Sequence, residues 1–328
     1  MPSNMSIKEI ARLTGLSVAT VSRVINHKGY YSAEAEEKVR AIVDEYNYVP
    51  NMIARSLKTN RTDTIGIVIP DINGDFFSKA VVRLQLSFFN RGYSNIIFNT
   101  NHDLKLAAAC LNMMRSNQVS GIVDFTGTVG KDVSASVPVL YFDRKPEHAS
   151  DAAYIISDGR HGGFLAGRAL IKAGCKRLAI MTPQYLYSNH RDRLNGFMDA
   201  LHQEGIAQDQ VLHIKAEGFT IADGCDAACK MLEETDCDGI FAVSDYLTTG
   251  IMQAVSSRGV PVPEQLRIVG YDVDTVLRLI TPSYTTVTQP LEQMTDLAVS
   301  HLLDMIENEK PALYPIVLTP SLVEGQTT

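Results

Sequence analysis

Ser6-Ile-Lys-Glu-Ile-Ala-Arg-Leu-Thr-Gly15-Leu-Ser-Val-Ala-Thr-Val-Ser-Arg-Val-Ile-Asn26 reads as two short helices joined by a tight turn. Ser6 precedes an apolar-periodic run and Glu9 follows three residues later, so hydroxyl and carboxylate can each cap the other's backbone amide. Ile7, Ile10 and Ala11 share one face. Gly15 supplies the turn, because a residue without a Cβ takes positive φ cheaply. Ser17 is expected to cap a second helix, with Val21, Val24 and Ile25 facing inward and Val18, Ala19, Ser22, Arg23 and Asn26 facing outward. A helix this short buries too little to stand alone, so its outer face of small and hydrogen-bonding side chains is there to meet something else. That is the layout of a helix-turn-helix, whose second helix enters the DNA major groove. Ser32 opens a third helix with Glu34, Glu36 and Glu37 in its first turn, where the helix dipole favours carboxylates. Val39, Ile42, Val43 and Tyr46 line one face of it, and Tyr48-Val-Pro-Asn51 ends it.

At 328 residues the chain exceeds one compact domain, and a small head with a larger body is expected. The net charge of −7 argues against DNA binding only if it is taken globally. Residues 1–60 hold 8 Lys or Arg against 6 Asp or Glu, a net of +2, which leaves −9 for the remainder. The head alone is therefore the candidate for phosphate contact. No stretch reaches the length of a membrane-crossing helix, and Lys8 and Glu9 stand where a secretory signal would be apolar, so the chain is expected in the cytoplasm. Five cysteines, Cys110, Cys175, Cys225, Cys229 and Cys237, show no C-x-x-C pair and no histidines at ligand spacing. No metal, disulfide or cofactor is expected from them.

Ser17-Val-Ala-Thr-Val-Ser-Arg-Val-Ile-Asn26, followed by Tyr48-Val-Pro-Asn-Met-Ile-Ala-Arg-Ser-Leu57, resembles the lac-repressor (LacI) family of bacterial transcription regulators. Gly29-Tyr-Tyr-Ser32 and Phe142-Asp-Arg144 are most similar to the sugar-operon repressors of that family, sucrose-type ones included. The resemblance implies a homodimer on a pseudo-palindromic operator, one recognition helix per half-site. In the recognition helix, which opens at Ser17, Val18 and Ala19 would set base preference through thymine methyls or close groove approach. Arg23 would bond guanine, while Thr20, Ser22 and Asn26 would position the helix on phosphates. Residues 51–61 match the family's hinge, which folds against DNA. Asn51, Ala54, Arg55 and Leu57 belong to it, with Leu57 as a wedge in the minor groove.

From Thr64 the rhythm changes. Thr64-Ile-Gly-Ile-Val-Ile-Pro70 is a continuous apolar run, as a strand buried on both faces requires. Similar runs at 95–99, 121–125, 137–142, 177–182, 211–215, 239–243 and 266–271 alternate with helical stretches, which predicts parallel sheets flanked by helices in two lobes. Ligands in such sheets bind at the carboxyl ends of strands, where Phe76, Phe77, Asp143, Arg144, Asp272 and Gln289 fall. Carboxylates, a guanidinium and an amide beside aromatic faces suit a polyhydroxylated ligand.

The body is similar to type I periplasmic binding proteins. That likeness implies that Phe76 and Phe77 stack on a sugar, that Asp143, Arg144, Arg193, Asp272 and Gln289 bond its hydroxyls, and that Phe219 closes the far side. Gly74 and Ser244 stand where many sugar binders place asparagine, so the ligand is either larger or differently hydroxylated. The expected fold is a small all-α helix-turn-helix head plus a two-lobed α/β body. The head spans 1–50, the hinge 51–61 and the body 62–328, with one lobe at about 62–158 and 290–317 and the other at about 159–288 and 318–328.

Ser157, Asp158 and His161 fall within five residues at a strand-to-helix turn, with no nucleophile elbow, oxyanion motif or phosphate loop, so an enzyme is not expected. The reading is a repressor of a sugar-utilisation operon controlled by a small carbohydrate or sugar phosphate. Its alternatives are the same DNA-binding role under a purine or a partner phosphoprotein, and an exported sugar receptor, which would have no use for the head. Without a leucine heptad near residue 328, a tetramer is not expected.

Overall fold

The computed structural model describes residues 5–25, 29–46, 48, 62–130, 133, 136–146, 149–273, 282–308 and 313–328. The chain divides into two units, Met1–Thr62 and Asp63–Thr328. In the first, α1 (Ile7–Thr14), α2 (Val18–Ile25) and α3 (Ala33–Glu45) close on Ile10, Ala11, Val21, Val24 and Val39. The capping box forms, Glu9 accepting from the Ser6 amide at 2.8 Å and Ser6 from the Glu9 amide at 3.3 Å. Gly15 has φ 70° and donates its amide to the Ala11 carbonyl. One expectation on α3 fails: Tyr46 is the C-cap and is 49% exposed, because the helix ends before it can turn inward, and Tyr48 packs against the head core instead.

The second unit is built on two six-stranded sheets. The first contains β1 (Thr64–Ile69), β2 (Ser94–Asn99), β3 (Gly121–Asp124), β4 (Val139–Phe142), β5 (Ala153–Ser157) and β11 (Pro315–Leu318), parallel throughout in the order β11-β5-β4-β3-β1-β2. The second contains β6 (Leu178–Pro183), β7 (Leu212–Ala216), β8 (Gly239–Ala242), β9 (Arg267–Tyr271), β10 (Thr285–Thr288) and β12 (Ser321–Val323) in the order β12-β10-β9-β8-β6-β7. Only β12 runs antiparallel, against β10. Flanking helices are α4 (Asp75–Phe89), α5 (Leu104–Ser116), α6 (Gly159–Lys172), α7 (Ser188–Gln203), α8 (Ile221–Glu234), α9 (Asp245–Arg258) and α10 (Leu291–Glu307).

All six residues of β1 are buried. Ile65, Ile67 and Ile69 pack with Leu84, Phe88 and Leu302 on one face, and Val68 packs with Met114 and Tyr141 on the other. Both faces are covered, so the sequence shows no polar alternation. At Gly66 a Cβ would lie 2.6 Å from Met114 Sδ, so glycine there lets α5 lie against the strand. The run at 95–99 is different: β2 pairs only with β1, and Ile97 is 40% exposed, because an edge strand needs little burial.

The chain passes between sheets three times, after Ser157, after Thr288 and after Leu318. Consequently α6 lies on β9, β10 and β12, whereas α10 returns to α4, β3, β4 and β5. Helices α6 and α7 pack backbone to backbone. A Cβ on Gly163 would meet the Arg193 carbonyl oxygen at 1.9 Å, and one on Gly196 would meet that of Arg160 at 1.7 Å.

Candidate functional site

In the head, Ser17 accepts the Thr20 amide at 3.0 Å and holds the first turn of α2. Ser17, Val18, Ala19 and Arg23 are exposed, Thr20 and Ser22 half-buried. The Thr20 hydroxyl is bonded to Ser17 Oγ at 2.9 Å. Val18, 46% exposed, is a large aliphatic group facing outward at the start of the helix. The stem of Arg23 runs past Gly29, whose φ is 77° and whose Cβ would sit 3.6 Å from Arg23 Cδ. Asn26, Asn51, Ala54, Arg55 and Leu57 lie outside the described residues.

In the body, a cleft of about 580 Å³, open mouth included, lies at the carboxyl ends of the strands of both sheets. It collects all eight residues expected there: Phe76, Phe77, Asp143, Arg144, Arg193, Phe219, Asp272 and Gln289. Gly74 and Ser244 line it too, as N-caps of α4 and α9.

Arg193, on α7, organises its floor. Its guanidinium carbon sits 3.5 Å from the centre of the Tyr271 ring, Nη1 donates to the Val243 carbonyl at 2.7 Å, and Nη2 is 3.8 Å from carboxylate oxygens of both Asp143 and Asp272. Burial opposes this charge, but Tyr271, Asp272 and Asp143 outweigh it and hold the guanidinium above its ordinary pKa. Gln289 bridges the same two carboxylates, donating to Asp272 Oδ2 at 2.6 Å and Asp143 Oδ1 at 3.3 Å. Asn189 donates to the other oxygen of Asp143 at 2.8 Å.

Burial raises the pKa of Asp272 to about 7, with Arg193 and Gln289 pulling the other way. Asp143 and Asp272 have φ of 66° and 54°, and His102, after β2, has 59°. Left-handed φ at a non-glycine residue costs about 1–3 kcal/mol, and such residues gather at sites where geometry matters more than local comfort. Two aromatic pairs complete the cleft. Phe76 and Phe77 meet edge to face at 5.5 Å, and His102 lies parallel on Phe219 at 4.7 Å with 4° between the rings.

Groups that sequence reasoning passed over are Asp71, His102, Asn189, His190, Asp245 and Tyr246. The strand-end rule that found Asp272 also covers Asp71, His102 and Asp245, while Asn189 stands one helical turn before Arg193 on the same face. His190 is buried with no partner for Nδ1, and burial followed by Arg193, Arg144 and His102 keeps it well below its usual pKa, hence neutral. Burial likewise raises Asp245 to about 6. Several contacts cross from one sheet's lobe to the other's: Tyr246 Oη donates to Asp71 at 3.2 Å, Lys145 Nζ pairs with Asp192 at 2.7 Å, and the Lys145 amide donates to Ser188 Oγ at 2.8 Å. The Ser157–Asp158–His161 cluster is structural in part, since Asp158 Oδ1 accepts the His161 amide at 2.9 Å and caps α6.

Comparison with known proteins agrees with both halves. Residues 6–51 match the family described as bacterial regulatory proteins, lacI family, and residues 168–328 match the periplasmic binding protein-like domain. A sucrose operon repressor of Pediococcus pentosaceus is 34% identical over 98% of this chain and 98% of its own. The HTH-type transcriptional repressor PurR of Vibrio atlanticus is 30% identical with the same coverage of both chains. Among solved structures, a transcriptional regulator CelR–cellobiose complex superposes with a TM-score of 0.72 at 26% identity, covering 99% of this chain and 100% of that one.

Proposed function

The chain belongs to the lacI family of bacterial regulatory proteins, and from that premise we propose that it is a sequence-specific DNA-binding transcriptional repressor of a sugar-utilisation operon, allosterically controlled by a small carbohydrate or sugar phosphate. The observation that carries the effector half is the paired carboxylates Asp143 and Asp272 held by one buried guanidinium and one amide between aromatic walls. Bidentate hydrogen bonding to adjacent hydroxyls and stacking on C–H faces is what such a cleft does. No catalytic step is assigned to it; the protein works by binding.

In this reading residues 1–50 are the DNA-binding head, 51–61 the hinge and 62–328 the effector-binding and dimerising body. Two heads of a homodimer occupy the half-sites of a pseudo-palindromic operator. Val18 and Ala19 set base preference and Arg23 reads guanine, worth roughly 1–3 kcal/mol of discrimination. Thr20, Ser22 and Asn26 would position the helix through phosphates with Ser17 as its cap, and Leu57, beside Ala54 and Arg55 in the hinge that Asn51 opens, would be the minor-groove wedge. The effector acts through the lobes: it shifts the equilibrium between two arrangements of the body by its difference in affinity for them, and so decides whether both hinges fold on DNA.

The test is fluorescence anisotropy on palindromic promoter fragments titrated with sugars, sugar phosphates and purines. Release by a sugar or sugar phosphate is expected. Release by a purine alone would replace the effector class and keep the DNA role, a reading that the PurR relative makes the natural second choice. Arg23→Ala should bring operator and scrambled DNA within about tenfold of each other in affinity, and discrimination left intact would remove Arg23 from base reading.

A further inference from the structure

Behind the main cleft is a smaller pocket of about 210 Å³, including its open side, which shares Arg144 and His102 with the cleft. Thr126, Thr128, Tyr187 and Asp103 complete its polar wall. Arg144 is 4% exposed, and its Nε and Nη1 have no hydrogen-bond partner. Among the described residues no carboxylate lies within 4.0 Å of its guanidinium, whose carbon instead sits 3.8 Å from the Tyr187 ring centre. The contrast with Arg193 is direct, since that group has a carbonyl and two carboxylates around it.

Neighbouring acids are committed elsewhere. Asp124 Oδ1 accepts from the amide and hydroxyl of Thr126 at 2.8 and 2.6 Å, and its Oδ2 accepts the Val129 amide at 3.3 Å. Asp103 Oδ1 takes the Lys105 and Leu106 amides at 2.7 and 3.3 Å at the start of α5. A buried guanidinium is normally paired or fully hydrogen-bonded, and this one is neither.

We propose that Arg144 and this pocket form an anion subsite, so that the effector is an anionic monosaccharide derivative whose ring lies in the main cleft and whose phosphate or carboxylate is held by Arg144. The proposal rests on the carbohydrate reading above and narrows it. Charge-assisted hydrogen bonds to a carboxylate or phosphate are the strong partners of arginine, and the anion would supply the acceptors that the protein withholds.

Isothermal titration calorimetry on the full chain tests this, using glucose and fructose against glucose 6-phosphate, fructose 6-phosphate, gluconate and glucuronate. At least one phosphate or sugar acid should bind roughly 10- to 100-fold tighter than its neutral parent, since hydrogen bonds to charged groups contribute on that scale. The phosphate and acid arms say which anion is selected. Arg144→Gln should bring anionic and neutral forms within about threefold, and Arg144→Lys, which keeps the charge, should fall between. Should Arg144→Gln fail to fold, Arg144→Lys carries the same comparison. Neutral sugars binding as tightly as anionic ones, or an equal loss for both in the variants, would overturn the subsite and leave the carbohydrate reading standing. Binding by no member of the panel would likewise overturn the anionic-monosaccharide assignment and leave the carbohydrate reading to the anisotropy titration.

Discussion

Gly196→Ala sets two physical effects against each other. In a helix interior, alanine is favoured over glycine by about 1 kcal/mol, so propensity alone forecasts a stabilised α7. Packing forecasts the reverse, because the new Cβ would lie 1.7 Å from the Arg160 carbonyl oxygen, 2.6 Å from its carbon and 2.9 Å from its Cα. Real Cβ atoms essentially never come within 3.0 Å of another heavy atom, so α6 and α7 must separate by about 1.3 Å locally. Overpacking typically costs 1–3 kcal/mol, and a contact with backbone has no rotamer through which to relax, so about 3 kcal/mol or more is expected. The net is a loss of roughly 2 kcal/mol, or about 4–8 °C in Tm for a unit of this size.

Function should follow, since Arg193 precedes Gly196 by one turn and its two carboxylate partners are at 3.8 Å on other elements. The assay is thermal unfolding of the body followed by far-UV circular dichroism, with Gly130→Ala as control. Gly130 is exposed and meets nothing within 4 Å, so its substitution should stay within about 0.5 kcal/mol. If Gly196→Ala melts at or above the unmodified protein, the close helix contact is not what this glycine serves.

Two further outcomes follow from the cleft. Arg193→Ala leaves Asp143 and Asp272 facing each other without their shared cation, which costs about 3–5 kcal/mol in urea unfolding and raises the effector concentration for operator release by at least roughly 100-fold. An unchanged dose curve would take Arg193 out of the site. The Asp272 carboxyl is raised to about 7 from an ordinary 3.8, so its protonated form is the one the fold prefers. Its stabilisation is complete below about pH 4 and is lost as pH rises through about 7. Asp245, raised to about 6, works in the same sense. His190 and His102, held neutral by burial, work in the opposite sense up to about pH 6.5, so the comparison is made against a variant: the Tm of the unmodified protein should fall relative to that of Asp272→Asn between pH 5 and pH 8. A difference that stays constant or moves the other way over this range would refute the assignment.

The helix-turn-helix was legible because its information is local: capping box, glycine turn and inward valines all lie within twenty residues. The central strands were legible because burial on both faces leaves a continuous apolar run. The strands β11 and β12 were not, being short stretches such as Pro315–Leu318 that pair at the rim and need no such run, and β5, an interior strand of only five residues, was passed over as well. Eight cleft residues came from a positional rule about strand ends together with family likeness, since no spacing along the chain announces that Phe76 and Phe219 line the same cleft. Nor does sequence show that no described carboxylate lies within 4.0 Å of Arg144 while Arg193 has two. Both are charged residues in similar apolar company, and only tertiary structure distributes the carboxylates between them. The four glycines of α6 at 159, 162, 163 and 167 weaken a helix on propensity, and their reason is visible only once α7 is laid against 159, 163 and 167 and the Tyr271 ring against 162.

The threefold passage of the chain between sheets has a consequence for biosynthesis. Strand β5 waits for β11, and β10 waits for β12, so both lobes are completed by residues 315–323, the last strands to be translated. At roughly 5–20 residues per second, the β5 edge stays open for about 8–30 s while the chain to β11 is made, and the β10 edge for about 2–7 s until β12 follows. The head, whose contacts are local, can fold before either interval begins, while the body is the part for which a nascent-chain chaperone would matter.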